Sequence, residues 1–142
     1  MFLDYTLMKT ITNMKKTSFI WISLLVFLSS FTYQDGIENV INALKTGSSA
    51  GLAKYFDNYV DITMPEKSSN YSKSQAELVI RDFFNNNAVK NFEVKHKGDN
   101  DGNNGQYCIG TLLTKNGKYR VNVFMKSKHD KMLVQEIRIQ AE

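Results

Sequence analysis

Few side chains in this chain of 142 residues could do chemistry by type and position. His96 alternates with Phe92 and Val94, which places an imidazole on the apolar side of a strand. There it could donate or accept a proton near neutral pH. The bland alternative is a rim histidine hydrogen-bonded to backbone. Gln135 is the one polar residue expected on the inward side of a strand that also carries Leu133, Ile137 and Ile139. An amide so placed could orient a ligand, since pockets are mostly apolar with a few fixed polar groups. It could equally be satisfied by neighbouring backbone. Tyr119, at the rim of the same face, could add a hydroxyl or simply pack. Asp99-Asn100-Asp101-Gly102-Asn103 resembles the start of a calcium loop. The twelve-residue loop needs Gly at its sixth position and a bidentate Glu at its twelfth. Asn104 and Gly110 stand there, so the stretch reads as a hairpin loop. His129 falls in a turn. Two histidines so placed, without spaced carboxylates, predict no metal site, and no residue pattern calls for a cofactor.

Composition narrows the rest. The formal charge is +4, from 18 basic and 14 acidic residues. Met14-Lys15-Lys16 precedes an apolar run from Phe19 to about Leu28, then the small residues Ser29, Ser30 and Thr32. This is the layout of a signal peptide. The run is short for a bilayer span of about twenty residues. Residues 1–33 are therefore expected to be a cleaved leader, with an uncleaved anchor as the alternative and Met14 as the natural start. Removing them takes away Lys9, Lys15, Lys16 and Asp4, which leaves 15 basic and 13 acidic residues, a charge of +2. That gives no support for nucleic-acid binding, and membrane contact is expected only through the leader. Cys108 is the sole cysteine, so no intrachain disulfide can form, and it falls on the core side of its strand.

The elements that must position these residues occupy residues 34–142. Ile37, Val40, Ile41 and Leu44 make one helix face, opened by an Asp35/Glu38 capping box and closed by Gly47. A second helix is expected over residues 49–56. Val60, Ile62 and Met64 alternate with polar residues as a strand that ends at Pro65, and residues 66–70 read as loop. Ser72 and Gln75 form a second capping box, ahead of the stripe Ala76, Val79, Ile80, Phe83 and Phe84. Four strands follow. Asn116-Gly117 suits a type I′ turn that pairs Lys115 with Lys118. One face then holds Cys108, Gly110, Leu112, Thr114, Tyr119, Val121, Val123 and Met125, and is assigned to the core. The other holds Tyr107, Ile109, Thr111, Leu113, Arg120, Asn122, Phe124 and Lys126. A loop of about five residues over 127–131 is expected before the last strand, residues 132–140.

Helices covering one face of a curved antiparallel sheet form an α+β arrangement. The chain resembles the cone-shaped nuclear transport factor 2-like fold, also called cystatin-like. Within it, the chain is similar to the domain of unknown function 4783 family, secreted proteins mostly of Bacteroidetes. The residues that carry this are Ala43-Leu44-Lys45 with Gly47, residues 52–56, Tyr71-Ser72 with Gln75-Ala76, and Phe83-Phe84. His96 with Gly98, Ile109-Gly110-Thr111-Leu112 and Asn116-Gly117-Lys118-Tyr119-Arg120-Val121 complete it. The resemblance covers nearly all of residues 35–140 and implies a fold and an exported, periplasmic or extracellular location, but no activity. Some enzymes of this cone fold are isomerases or dehydratases with an Asp base in an apolar pocket. Asp61 alternates away from Val60 and Ile62, and Asp57 lies near a turn, so neither shows a motif. Two functions are expected, in this order: a non-catalytic module binding a small ligand or envelope protein, and a small-molecule isomerase or hydrolase of the cone pocket. The resemblance also implies pairing through the outer sheet face. Tyr107, Ile109, Leu113 and Phe124 around Arg120 make that face a candidate homodimer surface.

Overall fold

Local sequence signals place the helices in the computed structural model, which describes residues 36–100, 102 and 104–142. The expected leader, the Asp35 cap and positions 101 and 103 of the acidic loop lie outside the described residues. Helix α1 (Gly36–Thr46) buries Ile37, Val40, Ile41 and Leu44 at the expected spacing. Gly47 ends it at φ +64°, and the Ser48 N–H donates back to the Ala43 carbonyl at 2.9 Å. A Cβ there would sit 2.9 Å from Val89 Cβ, so backbone and packing both call for glycine. Helix α2 (Ser49–Ala53) is shorter than expected, because Phe56 opens a strand instead of closing the helix. Helix α3 (Lys73–Asn87) carries both halves of the Ser72/Gln75 capping box and buries Ala76, Ile80 and Phe84. Ala88 closes it in left-handed backbone, φ 43°, with its N–H on the Phe84 carbonyl.

Among the described residues, six strands form one sheet: β1 (Phe56–Thr63), β2 (Ser68–Ser72), β3 (Val89–Asn100), β4 (Gly105–Thr114), β5 (Gly117–Lys128) and β6 (Lys131–Ala141). Their order is β2-β1-β6-β5-β4-β3. The expected loop over 66–70 instead leads into β2 at Ser68, a polar edge strand with Ser69 beside Ile62. The sheet is not wholly antiparallel, since β1 lies parallel to β6. Helices and one sheet face enclose the core, in which Phe56, Phe92, Leu112, Ile137 and Ile139 are fully buried with Leu44, Leu52 and Ile80. Burying each such side chain contributes about 1.5–3 kcal/mol.

The β4–β5 hairpin differs in register from the expectation. Thr114 pairs with Gly117, Leu112 with Tyr119 and Cys108 with Val123. The difference is two residues, so every side chain keeps its expected face. Only Gly117 has positive φ, at 134°; Thr114 Oγ1 holds the turn by donating to the Gly117 carbonyl and accepting from the Asn116 N–H. The positive-φ pair occurs instead at His129 and Asp130, φ 49° and 61°. They form a two-residue turn that pairs Lys128 with Lys131, in place of a five-residue loop.

Two bulges move expected site residues. Val94 pairs with Gly110 but His96 with Ile109, so Lys95 is an extra residue and His96 leaves the apolar side. Phe124 pairs with Glu136 but Met125 with Val134, so Gln135 is an extra residue in β6. Val134, Ile137 and Ile139 therefore fill the core, whereas Leu133 and Gln135 do not.

Candidate functional site

The Gln135 bulge faces a second irregularity. Phe56 lies beside Val134 and Asp61 beside Glu136, so four residues of β1 span the distance covered by one residue of β6. The bowed segment carries Asp57, Asn58 and Tyr59 away from regular pairing with β6. Between the two irregularities lies a cavity of about 400 Å³. Asp57, Tyr59, Asp61, Phe124, Lys128 and Gln135 line it, and Glu136 and Asn70 complete its rim. Phe124 and Glu136 belong to the sheet face away from the helices, so the cavity opens there.

Asp57 is the organising group, only 6 % exposed. Its Oδ1 accepts the Asn58 N–H at 2.7 Å. Its Oδ2 accepts from Lys128 Nζ and from Gln135 Nε2, each at 2.7 Å. The Lys128 ammonium, helped by Gln135 and Asn58, outweighs the burial that opposes charge and lowers the carboxyl from 3.8 to about 2. The Lys128 side chain is about half exposed. Nearby, Asn70 Nδ2 donates to Asp61 Oδ1 at 2.7 Å across the β1–β2 pair. Arg138 pairs with Glu136 on the outer face of β6.

Tyr119 lies at a different cavity, of about 470 Å³, among Met64, Pro65, Phe83, Asn87 and Ala141. Its hydroxyl donates to Asn87 Oδ1 at 3.1 Å, and its ring meets Phe83 edge-on at 5.1 Å. Asn87 Nδ2 in turn donates to the Phe83 carbonyl at 2.9 Å. His96 lines neither cavity and is exposed on edge strand β3. The three expected pocket residues therefore belong to three separate places. Cys108 is fully buried, and burial pushes its thiol up to about 12, in keeping with a core role.

On the candidate dimer face, Tyr107 pairs directly with Phe124, and Ile109 with Asn122. Tyr107, Ile109, Leu113 and Phe124 are half-buried and Arg120 is exposed. Asn122 Oδ1 is buried without a hydrogen-bond partner among the described residues. Thr111 is buried on this face, its hydroxyl donating to the Glu142 carboxylate.

Sequence reasoning set Asp57 aside and passed over Lys128. Asp57 lies 71 residues from Lys128 and 78 from Gln135, so no local spacing signals the cluster.

No curated protein matches the chain. The family described as a domain of unknown function (DUF4783) matches residues 37–140. A DUF4783 family protein from Bacteroides uniformis is 38 % identical with a TM-score of 0.71, the match covering 74 % of this chain and 95 % of that one. One from Bacteroides ovatus is also 38 % identical, TM-score 0.70, covering 73 % and 93 %. An NTF2-like protein of unknown function from Cytophaga hutchinsonii shares the fold at TM-score 0.56, with 10 % identity over 77 % of this chain and 88 % of that one. The α+β class expected from the order of elements and the cone implied by the resemblance are thus the observed fold, and the chain belongs to the DUF4783 family.

Proposed function

We propose that the domain is a non-catalytic binding module whose ligand site is the Asp57 cavity. The observation that carries this is the state of Asp57. A general base works best with a pKa near the working pH. Asp57 is lowered to about 2, and its two oxygens accept from Asn58, Lys128 and Gln135. It is ionised at neutral pH, has no proton to give and holds one weakly. Such a carboxylate fixes groups in place. The isomerase or hydrolase alternative needs an acid–base pair in one pocket. Tyr119 donates its hydroxyl hydrogen bond to Asn87 Oδ1, and His96 stands outside both cavities. The test is a screen of small cationic, anionic and neutral fragments against the protein, observed by amide NMR. Fragments should bind among Asn58, Tyr59 and Phe124 and be recovered unchanged after long incubation. Turnover of a fragment bound in the Asp57 cavity or beside Tyr119 would overturn this reading.

The proposal includes export. The leader layout read in residues 1–33 supports a periplasmic or extracellular site of action. N-terminal sequencing of the exported protein should begin between Ser30 and Asp35. An intact N-terminus on a membrane-bound product would favour an anchor.

A further inference from the structure

We propose that the Asp57 cavity is selective for an alkylammonium group, an inference that rests on the cavity being the binding site. Four charged side chains line it: Asp57, Asp61 and Glu136 against Lys128. Two carboxylates have their own cations, Lys128 on Asp57 and Arg138 on Glu136. Asp61 has none among the described residues; its one hydrogen-bond partner there is the neutral amide of Asn70. An entering anion would meet a net negative lining. An entering cation finds an acceptor without a counter-charge.

The aromatic lining points the same way. Tyr59 is 64 % exposed, an uncommon degree for a large ring, and it lines this cavity with Phe124. Aromatic faces attract ammonium groups, and a carboxylate beside rings is how proteins hold them. Phe124 and the Tyr59 ring also offer apolar surface to the alkyl part of such a ligand. The site already accepts this chemistry, because Lys128 lays its own ammonium on the buried Asp57 at 2.7 Å. About 400 Å³ falls within the size range of small-ligand pockets. The ligand ammonium pairs with Asp61, its alkyl chain lies against the rings, and the Asp57–Lys128–Gln135 cluster keeps the floor rigid.

The experiment titrates the isotopically labelled protein with butylammonium. Butyrate and butanol serve as the anionic and neutral compounds of the same length. Butylammonium should saturably shift the amides of Asn58, Tyr59, Asp61 and Phe124. Asp61→Asn, a change at an exposed position, should weaken it about fivefold. Tyr59→Ala should weaken it about threefold. A third arm uses Nα-acetyl-lysine amide. Tighter binding than butylammonium assigns the site to a lysine of a protein partner; weaker or equal binding assigns it to a free amine. The inference falls if butyrate or butanol shifts the same amides as strongly. It falls too if butylammonium gives no saturable shift, or binds Asp61→Asn as tightly as wild type. Binding of an uncharged fragment in the cavity, without ammonium preference, would sink the selectivity and leave the binding module standing.

Discussion

At the scale of single residues, Asp57 should leave a signature in acid. Its carboxyl titrates at 3.8 ordinarily and at about 2 when folded. A lowered folded value adds stability above the unfolded value, and the gain is lost as pH falls toward the folded one. Wild type should therefore exceed Asp57→Asn by about 2 kcal/mol at neutral pH, as expected for hydrogen bonds to a charged group. The gap should close between pH 3.8 and about 2 in acid unfolding followed by circular dichroism. A gap constant across that window would reject the Lys128 and Gln135 contacts as its source. Gly110 makes a second demand. A Cβ there would lie 2.4 Å from the Glu93 carbonyl and 2.6 Å from Phe92 Cζ. Gly110→Ala should cost about 1–3 kcal/mol in denaturant unfolding, the usual range for overpacking. Adding Phe92→Leu should not restore it, because the backbone carbonyl remains. Gly110 was readable as part of a resemblance, but its reason was not: the ring crossing it comes from another strand.

At the scale of elements, turns and caps decide what was legible. Helix α3 could be read because its cap and its stripe are both local. Ser72→Ala should remove the cap and cost about 1 kcal/mol of unfolding free energy. The core faces of β4 and β5 could also be read, since a two-residue change of register leaves faces unchanged. Strand β2 could not, because Ser68, Ser69 and Asn70 show no alternation and take their order from β1. The Asp57 site was beyond reach for a related reason. It depends on irregularities in two strands, and periodicity describes only regular ones. The tight turn at His129-Asp130 was hidden because it lacks the glycine that usually marks a two-residue hairpin turn. Type I′ turns favour Asn-Gly. The double change His129→Asn with Asp130→Gly should raise stability by about 1 kcal/mol, since non-glycine residues strain left-handed backbone. A double variant less stable than wild type in thermal unfolding would show that His129 or Asp130 makes a contact of greater worth.

At the scale of the whole molecule, the outer sheet face supports a homodimer as a proposal. Tyr107 and Phe124 stack their positions directly across β4 and β5, and Asn122 Oδ1 beside them is buried without a partner among the described residues. A second copy could supply that donor while covering the rings. Light scattering of residues 34–142 should report a dimer, and Phe124→Glu and Ile109→Lys should each convert it to monomer. A monomeric wild type, or a dimer untouched by both substitutions, would reject the proposal. The parallel pairing of β1 with β6 governs something else, the order of assembly. Ile62 must find Ile137, and Phe56 must find Val134, near the far end of the chain. Closing so long a loop is entropically costly, and non-local pairings of this kind form late. The meander of β3, β4 and β5 can zip up from its own hairpins, but the β1–β2 pair has no sheet to join until β6 exists. A chain that ended before Lys131 would leave β1 with an unpaired edge bearing Val60 and Ile62, an invitation to associate with other chains. Eleven residues at the end of the domain thus determine whether its first two strands fold or aggregate.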